Sequence, residues 1–110
     1  FNFSENFGQR LENLVFIELV RRGAEVYYYA KKNECDFVVK EGLKITKAIQ
    51  VCLNLDNIAT KNREIEGLLE ALKEYKLSEG LILTLDKEEE IKIKDNKIIK
   101  VKPVWKWLLE

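Results

Sequence analysis

The chain has 110 residues, of which 46% are hydrophobic and 35% charged, with 19 basic and 19 acidic side chains and no histidine. That length suits one domain with a single core, and the composition excludes a disordered segment. No apolar run approaches the roughly 20 residues that cross a bilayer, and the balanced charge lacks the basic excess of a dedicated nucleic-acid binder.

Residues 4–22 read as a helix. Phe7, Leu11, Leu14, Val15 and Leu19 recur at helical spacing, and Gly23 follows the basic pair Arg21–Arg22 as a stop. Glu25–Ala30, with Val26 and three tyrosines, has strand composition. Turns at Asn33–Glu34 and Glu41–Gly42 lead into Cys35–Lys40 and Ile45–Leu53, so the middle of the chain predicts a three-stranded meander. A second helix is expected over Thr60–Lys76, with Ile65, Leu68, Leu69 and Leu72 on one stripe. Gly67 inside that helix costs ~1 kcal/mol relative to alanine, which signals close packing on the sheet. Leu81–Leu85 suits a buried strand. Ile91–Lys94 and Ile98–Lys102 alternate apolar residues with lysine around Asp95-Asn96, the pattern of a hairpin. Pro103 fits the first turn of a last short helix carrying Trp105, Leu108 and Leu109. The fold class is α/β: an αβββαβ core with a mixed sheet flanked by helices, extended by a hairpin and a short helix.

Two cysteines without a histidine cannot provide the four ligands of a structural zinc site. Cys35 and Cys52, both in apolar stretches, read as buried free thiols of an intracellular, cytoplasmic protein, and no signal-peptide pattern is present. The chain opens on Phe1 and contains no methionine, which reads as a piece of a longer polypeptide.

Chemistry gathers in three places. The first helix carries Glu12 at the edge of its apolar stripe. Asp36 interrupts the hydrophobic run Cys35–Val39, where a carboxylate needs a metal or cation to offset its burial. Gln50 and Cys52 stand two apart on the third strand and so share a face, with Ile49 and Val51 on the other. Pairing of the second and third strands would set Asp36 beside Gln50. Glu18 lies nearer the middle of the helix stripe and reads as a hydrogen-bond or ion-pair anchor. Lys92, Lys94, Lys97, Lys100 and Lys102 could meet phosphates, but lysines also guard a sheet edge against pairing.

The element order, the helix glutamate, the strand acid and the two-spaced polar pair resemble the PD-(D/E)XK nuclease superfamily. The resemblance implies that Glu12, Asp36 and Gln50 hold Mg²⁺, because hard cations take clustered oxygens and the metal activates the attacking water. It also puts Cys52 in the place of the catalytic lysine, whose charge a thiol cannot carry, and leaves Arg63 as the stand-in cation. Cys35 replaces the proline expected before the acid.

A second likeness covers nearly the whole chain. Glu12-Asn13-Leu14-Val15, Val26-Tyr27-Tyr28-Tyr29, Cys35-Asp36-Phe37-Val38-Val39, Ile49-Gln50-Val51-Cys52, Gly67-Leu68-Leu69, Gly80-Leu81-Ile82-Leu83-Thr84 and Pro103-Val104-Trp105 resemble the C-terminal domain of unknown function of archaeal-type AAA+ ATPases. That likeness implies a partner in the ATPase core of the parent chain, contact with DNA, and no membrane. The chain has no Gly-rich phosphate loop and hence no ATP site of that kind. Two functional readings follow: a nuclease-like module in nucleic-acid processing with a degenerate catalytic centre, or a non-catalytic domain for protein contact or regulation.

Overall fold

The structure, a computed structural model, describes residues 3–110, with side chains from Asn6 onward. Helix α1 (Phe3–Arg21) buries Leu11, Val15 and Leu19, four residues apart on one face. It stops where the sequence predicts: Gly23 takes φ +85°, its N–H bonds Val20 O at 2.9 Å, and the Ala24 N–H returns to Leu19 O at 3.1 Å. This is the left-handed C-terminal motif that glycine adopts without steric cost.

Strands β1 (Glu25–Ala30), β2 (Glu34–Glu41) and β3 (Lys44–Val51) form the expected antiparallel meander. Helix α2 (Ile58–Glu74) then carries the chain over to β4 (Glu79–Thr84), which lies parallel to β3. Strands β5 (Glu89–Ile93) and β6 (Lys97–Pro103) are a hairpin whose second strand runs parallel to β4. Asp95 and Asn96 both adopt positive φ in its turn, as their short polar side chains permit. The six strands lie in the order β1-β2-β3-β4-β6-β5, and helix α3 (Val104–Leu108) ends the chain. The architecture is therefore α/β with a mixed sheet and helices on both faces.

Two hydrophobic clusters lie on either side of the sheet. One joins Leu11, Val15 and Leu19 of α1 with Val39, Ile49, Val51 and Leu83, and with Val104 and Trp107 at the far end of the chain. The other sets Leu68, Ala71 and Leu72 of α2 against Val38, Ala48, Ile82, Ile99 and Val101. Arg22 fastens α1 to α3: its guanidinium lies 4.5 Å from the centre of the Trp107 ring and donates to Trp107 O at 3.0 Å.

Several boundaries differ from the sequence reading, each for a local reason. Helix α2 begins at Ile58 because the Asn57 side chain caps it, accepting the Thr60 N–H at 3.0 Å. Strand β3 ends at Val51, before Leu53, because the Asp36 carboxylate takes the Val51 N–H at 2.8 Å and closes the ladder to β2. Strand β4 stops at Thr84, whose hydroxyl bonds both the N–H and the carbonyl of Lys87, so Leu85 is turned out to solvent. Pro103 closes β6 and caps α3 with an extended ψ of 142°, and so precedes the helix. Trp107 anchors α3, whereas Trp105 is exposed.

Gly67 marks the tightest crossing in the fold. A Cβ there would lie 1.8 Å from the backbone oxygen of Glu34 and 2.8 Å from Gln50 Nε2. The expected close packing is thus a contact between helix backbone and strand backbone. Gly67→Ala is expected to lower stability by about 3 kcal/mol or more, since helix and sheet must separate. Urea unfolding measures this, and a variant within ~0.5 kcal/mol of the parent would contradict the geometry.

Candidate functional site

The meander register contains one irregularity that shapes the site. Tyr27 pairs with Val38 and Tyr29 with Cys35, so Asp36 and Phe37 of β2 together oppose the single residue Tyr28. A β-bulge of this kind breaks the alternation of side chains and re-aims them. Cys35 and Val38, three apart, accordingly face the same cluster with α2.

Below the bulge lies an open cleft of about 600 Å³ between α1, β2, the end of β3 and α2. Its walls carry Glu12, Glu34, Asp36 and Glu64 as acids, Arg63 as a base, and Cys52. Four of the five predicted residues, Glu12, Asp36, Cys52 and Arg63, therefore meet on one surface.

Gln50 is the exception. It is 1% exposed, and its amide is bonded at both ends: Oε1 accepts the Asp36 N–H at 2.8 Å, while Nε2 donates to Glu34 O at 2.9 Å and Glu64 O at 3.1 Å. Its carbonyl oxygen replaces a missing ladder partner beside the bulge, and its NH₂ group ties β2 to α2. Asp36 spends Oδ2 on Val51, as described. Among the described residues, no group of three or more His, Cys, Asp or Glu side chains is arranged to hold a metal ion. As a ligand set for magnesium, Glu12, Asp36 and Gln50 fit poorly, because Gln50 is buried outside the cleft lining and its oxygen already accepts the Asp36 N–H.

The acids press on one another. Burial raises the pKa of Glu64 to about 7, with Asp36 adding to the effect, Arg63 opposing it, and Glu12 and Glu34 contributing further. Asp36 is pushed up by burial and by Glu34 against the pull of the Val51 N–H. Glu12 is raised by burial and then by Asp36. Burial also raises the Cys52 thiol, opposed by its bond to the Asn54 backbone, so the group in the lysine position is neutral. Cys35 is a buried free thiol pushed up to about 12.

The sequence reading assigns no place in the site to Glu34, Glu64 or Tyr28. Tyr28 hydrogen-bonds Glu34, and its phenol is raised by that bond first and also by the charges of Asp36 and Glu12. Glu34 stands two residues before Asp36 and Glu64 directly after Arg63, but neither spacing distinguishes them from ordinary surface acids. Glu18, by contrast, has the anchoring role expected of it, bonding Arg21 and Arg22, each at 2.7 Å. Lys100 and Lys102 are paired with Glu79 and Glu110.

A family model described as Domain of unknown function (DUF4143) matches residues 7–107. The chain belongs to that family. It is also 41% identical, over 98% of its length, to the uncharacterized protein MJ1544 of Methanocaldococcus jannaschii. The DUF4143 chain spans about a quarter of that relative, 26% of its length. No solved structure matches it. No helix among the described residues is long and apolar enough to cross a membrane.

The carboxyl cluster gives the DUF4143 domain a pH signature. The folded pKa of Glu64, about 7, exceeds its ordinary value of 4.5. A raised folded pKa contributes stability while the proton is held, and that contribution is lost as pH rises through the folded value. Stability therefore falls between about pH 4.5 and 7, with Asp36 and Glu12 acting in the same direction. Glu64→Gln, which cannot ionise, is expected to flatten the fall and to exceed the parent at about pH 8 while matching it near pH 4. Thermal unfolding at the two pH values decides, and equal slopes for parent and variant would refute the assignment.

Proposed function

We propose that this domain is a nuclease-shaped module of a longer, archaeal-type ATPase, attached to nucleic-acid processing but acting without phosphodiester hydrolysis, by contact with or regulation of its own parent chain. The observation that carries the reading is the Gln50 amide, buried and bonded at both ends so that it holds β2 and α2 together. The resemblance to the PD-(D/E)XK superfamily implies an oxygen ligand at that position and a lysine two residues further on, beside a metal that activates water. Here the first is structural and the second is a neutral thiol.

The element order α1-β1-β2-β3-α2-β4 supports descent from a restriction-endonuclease-like core. Glu12 and Asp36 in one cleft support an inherited acidic site. The length of the M. jannaschii relative, of which this chain spans 26%, supports a larger parent protein. The buried free thiols fit a cytoplasmic setting. The retained acids favour the second reading, a weak Mg²⁺-dependent DNA endonuclease with Arg63 as its cation.

The two separate by experiment. Incubation with plasmid and branched DNA in Mg²⁺ is expected to give no cleavage above that of Asp36→Ala; cleavage lost in that variant would establish the nuclease reading. Gln50→Glu bears on the same point. It is expected to cost about 2–4 kcal/mol, because it puts a carboxylate against the carbonyls of Glu34 and Glu64. A Gln50→Glu protein that Mg²⁺ restores to parental stability would show instead that the position still serves a metal.

A further inference from the structure

The two edges of the sheet are built differently. Strand β5 alternates glutamate and lysine with isoleucine, the charged composition that keeps an edge from pairing. Strand β1 at the other end contains Val26, Tyr27, Tyr28, Tyr29 and Ala30, with no lysine or proline, and its outer edge meets no further strand among the described residues. The bulge beside it does not twist it out of use, because the extra residue belongs to β2. Tyr27 and Tyr28 are 49% and 60% exposed on opposite faces of this edge.

Helix α1 lies over β1 and adds to the same surface. Its Glu18 flank is tied through Arg22 to Trp107 of α3. The flank roughly opposite carries Phe16 and Val20, 43% and 51% exposed. Phe16 stands one helical turn beyond Glu12, whose charge reaches the Tyr28 phenol. Ile17, 55% exposed, widens this apolar strip, while Gln9, Arg10 and Asn13 keep the N-terminal part of the outer face polar.

We propose that β1 and the Phe16–Val20 flank of α1 form a homodimer interface, in which two copies pair their β1 strands antiparallel about a two-fold axis. The strand is self-complementary in that arrangement. A register centred on Tyr28 sets each Tyr27 opposite Tyr29 of the second copy, and each Glu25 opposite Lys31, just past the end of the second copy's β1. Within one chain Glu25 accepts from Tyr27 and Lys31 pairs with Glu74, and the intermolecular pair of unlike charges would be shared with these. The zero net charge of the chain keeps the overall repulsion between copies small, with Glu12, Glu34 and Asp36 near each Tyr28 as the local opposing charges. Half-exposed aromatic side chains offer ~100 Å² each, and with the edge backbone two copies bury on the order of 1,000 Å², the lower bound of a specific interface. The two α1 helices then lie side by side on one face of a continuous sheet.

Sedimentation equilibrium of the 110-residue chain tests this. The parent is expected at twice the 12.9 kDa chain mass. Tyr28→Lys puts two like charges on the axis and should weaken association on the order of 100-fold, with unchanged circular dichroism. Phe16→Glu should act in the same direction. Glu25→Lys should weaken association and Glu25→Lys with Lys31→Glu should restore it, which reads the register itself and decides alone if the lysine variant does not fold. Trp105→Ser, on the exposed part of α3, should leave the dimer intact. A parent that stays monomeric to ~1 mM leaves this face to another polypeptide and overturns the proposal. So does a dimer that persists in folded Tyr28→Lys, or one dissolved only by Trp105→Ser.

Discussion

The backbone oxygen of Glu34 occupies the space where any other residue at position 67 would carry its Cβ. That contact sets the distance between α2 and the sheet, and much else follows from it. The helix sits low enough for the Glu64 carbonyl, one turn earlier, to accept from Gln50. Leu68, next along the helix, is fully buried, and a Cβ on Gly80 of β4 would lie 2.8 Å from its side chain. Two glycines, on helix and strand, thus allow an approach that larger residues would prevent. Gln50 takes the hydrogen bonds that the irregular end of β2 would otherwise leave unmade, and an unsatisfied buried carbonyl costs ~1–3 kcal/mol.

The cleft beside this junction carries an excess of negative charge without a matching set of cations. Glu12, Glu34, Asp36 and Glu64 share it with Arg63. Asp36 is fixed by the Val51 N–H, but nothing in the packing of the sheet requires Glu12 or Glu64, and partial burial works against ionisation of all three. Carboxyl groups perturbed in this way cluster at functional sites. The hydrogen-bonded skeleton next to them is complete, with no buried side-chain nitrogen or oxygen left unpartnered among the described residues. The two layers differ in kind: a satisfied structural network behind, and a strained electrostatic surface in front.

The fold was largely legible in the sequence because its signals are local. Strand composition, flanking turns and, in the last two strands, alternation of apolar residues with lysine mark the sheet; Asp95-Asn96 marks the hairpin turn and Gly23 the end of α1. Gly67 could be read as a close approach because glycine in a helix interior needs a reason. The site was legible only as a set of residue types. Four of its five predicted members do line one cleft, but the role of Gln50 depends on the bulge at Asp36–Phe37, and an extra residue in a pairing register leaves no mark in a single strand's composition. Glu34 and Glu64 were missed for the same reason. Their importance comes from what the crossing of α2 puts beside them. Of the two tryptophans, identical in chemistry and two residues apart, only the geometry of α3 decides which is buried.

The clasp between Arg22 and Trp107 joins residues 85 positions apart. Val104 and Trp107 also complete the cluster beneath α1, so the first helix has no finished core to rest on until α3 arrives. During synthesis, which adds residues from the N-terminus at ~5–20 per second, the meander and its apolar helix wait several seconds in an unclosed state. Contacts of such separation also slow closure, since loop entropy is lost before they form. Each cluster draws on both halves of the described residues, so neither half encloses a finished core by itself.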